Sequence, residues 1–128
     1  AAENRSPRDL VVIRDHQTAF ARAVSDQDAL AMIATNRDFH AAIAEAGRNP
    51  YYTSLFIRLL DEGRRILRLY YSSFHDRLPH RYVDEHEEMV IVARDTDAAD
   101  RIATQHADQI VRQIQSYVAR DLRQPIDL

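Results

Sequence analysis

The chain has 128 residues, with 17 basic residues, all of them arginine, 20 acidic residues, 6 His, 2 Gly, 4 Pro and no Cys. The absence of Cys excludes a disulfide framework, a thiolate zinc site and a thiol nucleophile. The net charge of −3 argues against a general nucleic-acid-binding surface, which needs a basic excess. Two glycines leave little material for a strand-and-turn protein or a glycine-rich phosphate loop. No apolar run approaches the roughly 20 residues that span a bilayer, and no signal peptide is visible. The length suits one domain, residues 1–128, around one core. These bounds predict a soluble, cytoplasmic, all-α protein whose metal chemistry, if any, comes from His, Asn, Asp and Glu.

Ser6-Pro7-Arg8-Asp9 reads as a helix start, with Ser6 capping and Pro7 at the first helical position. Ile13, Phe20, Ala23 and Val24 then recur at helical spacing. Ser25-Asp26-Gln27-Asp28 predicts a second helix with Ser25 as its cap, running to about Ala46, where Gly47 is the expected left-handed stop. Asn49-Pro50 opens a long third helix reaching about Phe74. Along it Tyr52, Leu55, Phe56, Leu59, Leu60, Gly63, Ile66, Leu67 and Tyr70 fall within roughly 80° of one direction, a broad stripe suited to a helix central to a bundle. His75-Asp76-Arg77-Leu78-Pro79 breaks it. A fourth helix is expected from about His80 to Arg94, then a turn and cap at Asp95-Thr96-Asp97 and a last helix from about Asp97 to Ala119. The tail Arg123-Gln124-Pro125 is expected to be non-helical. Five helices with short connections predict an antiparallel bundle. The chain starts at Ala1-Ala2 without a Met, which suggests a fragment or a processed form.

Four residues stand out by the faces they occupy. Asn36 and His40 are spaced i, i+4 and share a face with Ile33, Ile43 and Ala44. His86 lies with Val83, Met89, Val90 and Ala93, and His106 with Ala99, Ile102, Ala103 and Ile110. Three helices therefore each turn an imidazole inward. A buried imidazole lacking partners costs roughly 1–3 kcal/mol, and a divalent cation would unite the three; imidazole nitrogens suit zinc, nickel, copper, cobalt or iron. The alternative for each is a core histidine bonded to a carbonyl, the reading given to His16. His75 and His80 flank the break at Pro79 and are expected in solvent. No Glu-x-x-His occurs, which excludes the usual di-iron bundle.

Asn36-Arg37-Asp38-Phe39-His40 followed by Gly47-Arg48-Asn49-Pro50, then Asp84-Glu85-His86, Ala93 through Ala99, and His106, resembles the ordered motifs of FCD domains. These are the C-terminal effector-binding domains of FadR-type regulators in the GntR family. The resemblance implies an all-α effector domain in which Asn36, His40, His86 and His106 hold a divalent metal, zinc first and nickel next, completed by a small organic acid. The family often has Asp at the first position; Asn36 is a neutral, weaker ligand and changes the site's charge by one unit. The family also usually begins with one further helix and a winged helix-turn-helix. With those missing here, DNA would be reached only through that N-terminal domain, in a homodimer and with no membrane involved.

Arg64, about 120° from Tyr52 at the edge of the stripe, is the candidate to bind an effector carboxylate, since its planar fork matches that group. Gly63 would allow close approach and Tyr82 would supply a hydroxyl. The expected function is therefore a metal-dependent carboxylate sensor without turnover. The alternatives are a three-His metalloenzyme, a hydrolase or lyase, and a metal-free interaction bundle. Against the enzyme, no carboxylate holds an obvious general-base position, because Glu85 and Glu87 point about 100° to either side of His86.

Overall fold

The computed structural model describes residues 3–91 and 95–121. Within them the chain forms a helical bundle of α1 (Pro7–Ser25), α2 (Ala29–Ala46), α3 (Pro50–Glu62), α4 (Arg64–Ser72), α5 (Arg81–Ile91) and α6 (Thr96–Asp121), with no strand. Ala93, expected beside His86, and the tail at Arg123–Pro125 lie outside the described residues.

The helix starts follow local chemistry. Ser6 Oγ accepts from the Asp9 amide at 3.2 Å while the Asp9 carboxylate accepts from the Ser6 amide at 2.7 Å, a reciprocal capping box ahead of Pro7. Asn49 caps α3 by accepting from the Tyr52 amide at 3.2 Å, and Asp95 caps α6 through the Ala98 amide at 2.9 Å. The expected cap at Ser25 is corrected: Ser25 is the last residue of α1, Gln27 turns left-handed at φ 55°, and Asp28 caps α2 through the Ala31 amide at 3.0 Å. The expected left-handed stop at Gly47 is also corrected. Gly47 keeps a helical φ of −72°, and Arg48 makes the turn at φ 60°. The Arg48 guanidinium donates to the Asp9 carboxylate, tying that turn to the start of α1.

The long third helix is two helices. At Gly63 ψ opens to −2°, which breaks the helical path and re-phases the residues beyond it. As a result α4 buries Tyr70 and Tyr71, whereas α3 has no buried residue. The stripe is not central to the bundle: among the described residues α3 packs only on α2 and α4, and Tyr52, Leu55, Phe56 and Leu59 are exposed in this single chain.

Two apolar clusters form the core. Phe20, Val24, Met32, Ile33, Tyr70, Tyr71, Leu78, Tyr82 and Val83 make one. Ile13, Phe39, Ala42, Ala46 and Val90 make the other. Helix α1 packs most extensively on α2, α5 packs on α1 and α6, and α6 reaches back to α4. Gln17 Nε2 donates to the Val83 carbonyl at 3.0 Å inside the core, fastening α5 to α1. Asp28→Ala should lower unfolding free energy by about 1 kcal/mol, and Ser25→Ala should change it by less than about 0.5 kcal/mol; urea unfolding of the two variants measures both.

Candidate metal centre

The seam between the two clusters is where the imidazoles meet. Phe39 of α2 belongs to one cluster and Phe20 of α1 to the other. The His86 ring sits between them, stacked on Phe39 with centroids 4.4 Å apart and tilted against Phe20 at 4.5 Å. Only 1 % of His86 is exposed. His40 comes in from α2 with its centroid 5.0 Å from that of His86, and His106 from α6 at 5.0 Å from His86 and 5.6 Å from His40. One nitrogen from each ring lies within 4.8 Å of the other two. Tetrahedral ligation at zinc–nitrogen distances needs separations of about 3.3 Å, a modest convergence from there.

The nitrogens themselves point to a shared ligand. His86 Nδ1 and His106 Nε2 are buried and have no hydrogen-bond partner among the described residues. Backbone and side-chain groups satisfy nearly every buried polar atom in folded proteins, so two orphans in one cluster of rings require an account. Burial pushes the His40 imidazole down to about 3, with the neighbouring His106 adding to it. Burial first, then His40 and His106, likewise holds His86 well below the usual histidine range. Neutral imidazoles are the form that ligates metal. The donor set, three imidazoles and no thiolate, fits a borderline transition ion.

Asn36, one turn before His40, is buried and lines a small internal cavity with His86 and His106. Phe20, Leu67, Tyr70, Tyr71, Leu78, Tyr82 and Ile110 complete its wall. Its volume is about 10 Å³, room for about one water molecule. Burial raises the Tyr70 and Tyr71 hydroxyls above the ordinary tyrosine range, so both remain protonated donors at neutral pH. Tyr82 closes the cavity, and its hydroxyl accepts from Arg81 Nη2 at 2.8 Å.

A family model for the FCD domain matches residues 1–109. The chain belongs to the FCD family. No curated protein and no solved structure matches it. FCD domains are the effector-binding domains of GntR-family regulators, so the role of this one is regulatory and its partner a small-molecule effector. Among its described residues no helix is long and apolar enough to cross a membrane.

The bundle of this FCD domain thus brings together Asn36, His86, His106 and Tyr82 around one cavity, with His40 against the same rings. It does not bring Arg64 or Gly63 there. Arg64 is exposed at the start of α4 and donates to Asp61 at 3.1 Å, alongside the Arg37–Asp61 pair. Gly63 is the junction of α3 and α4, where an added Cβ would meet the Leu59 carbonyl oxygen at 3.0 Å. Neither residue lines the cavity that holds His86 and His106. Sequence reasoning missed Glu85, whose carboxylate reaches His106 Nδ1 at 2.9 Å across the α5–α6 contact. Its offset from His86 is legible in the sequence, but the packing angle that carries it to α6 is not. His75 and His80 lie exposed, as expected.

Neutral burial of His40 and His86 makes the metal-free domain acid-sensitive. Both groups bind protons near pH 6.5 when unfolded, but in the folded chain only at much lower pH. The unfolded state therefore takes up more protons as pH falls below about 6.5, and stability falls with it, by at most about 1.4 kcal/mol per pH unit for each histidine. Thermal unfolding of chelator-treated protein should show Tm dropping between pH 7 and pH 5; a flat Tm would contradict neutral burial.

Proposed function

We propose that residues 1–128 form one metal-dependent sensing domain for a small carboxylate, within a cytoplasmic GntR-type transcription regulator. The observation that carries this reading is the pair of buried, unpartnered nitrogens on His86 and His106, set beside His40 at the junction of three helices. His40, His86 and His106 would hold a divalent transition ion, with zinc favoured by the all-imidazole set and nickel an alternative. The Asn36 amide oxygen would be the protein's fourth donor. The metal supplies a Lewis-acidic anchor for an anionic effector, and the protonated hydroxyls of Tyr70 and Tyr71, with that of Tyr82, supply donors around it.

The size of the cavity supports a sensing mechanism. A space of about 10 Å³ holds no organic acid. Effector binding must therefore part side chains from α1, α2, α4, α5 and α6, all of which line it. A ligand that binds one packing of the bundle better than another shifts the population toward it. In the whole regulator that shift would be passed, across a homodimer, to a DNA-binding domain. The exposed apolar residues of α3 are of the kind that mark an interaction surface.

Replacing His86 and His106 by Ala together should reduce bound metal, measured by elemental analysis, to background. Adding zinc to the metal-free protein should raise unfolding free energy by about 2.7 kcal/mol when free metal is a hundred times Kd. Unchanged metal content in the double variant, or an unchanged Tm on chelation, would count against the site.

A further inference from the structure

Glu85 is half-buried on α5 and its Oε2 lies 2.9 Å from Nδ1 of His106 on α6. The His106 side chain is only 10 % exposed, so this carboxylate is its main polar contact. A carboxylate oxygen accepts and cannot donate. In the neutral imidazole the contact therefore places the proton on Nδ1 and the lone pair on Nε2, and Nε2 is the atom that is buried without a partner. Of the two ring nitrogens, the one free to ligate is thus selected by the other's hydrogen bond.

Glu85 also faces outward. It lines a cleft of about 370 Å³ between α5 and α6, together with Arg81, Glu88, Ile102 and Gln109, and His106 forms part of the same wall. His106 thus lines both this cleft and the small cavity described above. The Glu85–His106 contact stands where the outside meets the site. No other described carboxylate makes a hydrogen bond to any of the three clustered histidines. A ligand held from behind by a carboxylate gains basicity and a fixed ring orientation.

We propose that Glu85 is the positioning residue of the metal centre, fixing the tautomer and ring orientation of His106 so that Nε2 is presented to the ion. The inference rests on the metal reading above and adds to it a residue outside the ligand set. It gives Glu85 no contact with the metal and no part in proton transfer.

Two measurements separate the inference from the reading beneath it. The first is the long-range nitrogen–proton imidazole spectrum of the metal-free domain, labelled at histidine, at neutral pH. His106 should carry its proton on Nδ1, and the signature should be lost in Glu85→Leu. A proton on Nε2 in the unaltered domain would overturn the proposal. The second is titration with Co²⁺, followed by its visible absorption. Glu85→Leu should bind Co²⁺ 10- to 100-fold more weakly than the unaltered domain. Glu85→Gln, whose amide oxygen can still accept from Nδ1, should lie between the two. Tight binding by the unaltered domain with equal affinity in Glu85→Leu overturns the inference alone. Failure of the unaltered domain to take up Co²⁺ overturns the metal reading and the inference with it.

Discussion

An imidazole ring pressed between two phenylalanines at the meeting of two apolar cores sets the terms for the rest of this bundle. His86 is nearly inaccessible, flanked by Phe20 and Phe39, with Nδ1 unpartnered. An unsatisfied buried donor or acceptor costs roughly 1–3 kcal/mol, and the same burial forbids the charged form. Leucine at this position would avoid both costs. Their persistence at one point, with His40 and His106 drawn in from α2 and α6, is the physical case for a ligand that all three rings share.

Around that point each element has a definable task. The helix pair α1–α2 carries Phe20, Phe39, Asn36 and His40, and its caps at Ser6 and Asp28 fix where those side chains fall along their axes. Gln17 fastens α5 to α1 and so sets the height of His86 against the two phenylalanines. Helix α4, re-phased after Gly63, brings Tyr70 and Tyr71 to the cavity wall, and Gln113 of α6 donates to Ser73 at its end at 3.0 Å. An FCD domain has to convert a small molecule into a change of packing. Under the proposed reading, a cavity too small for an organic acid and walled by most of the helices would couple the two directly.

Much of the centre was legible in the sequence. Helical periodicity alone places His40, His86 and His106 on faces shared with apolar neighbours, and the structure brings those three rings together. The caps at Ser6 and Asn49 were legible because Pro follows each of them. The ordered motifs pointed to the family that the model match shows. What escaped depends on geometry between elements or on one torsion. A mid-helix glycine reads the same whether the helix continues or breaks, so the ψ of Gly63 is invisible in the sequence. An apolar stripe predicts a face that seeks cover, not which neighbour supplies it; on α3 this chain supplies little. Ser25 and Asp28 are both good caps, and only the left-handed turn at Gln27 decides between them. The sequence shows the angle of Glu85 to His86 on its own helix, whereas its partner sits on the next one.

The central claim is that the three rings converge on one ion. Crystals of the domain grown with zinc, with anomalous data on both sides of the zinc absorption edge, test it most directly. The account predicts one strong anomalous peak about 2.0–2.1 Å from a nitrogen of each of His40, His86 and His106. A peak elsewhere on the surface, or none in the seam between Phe20 and Phe39, would contradict it.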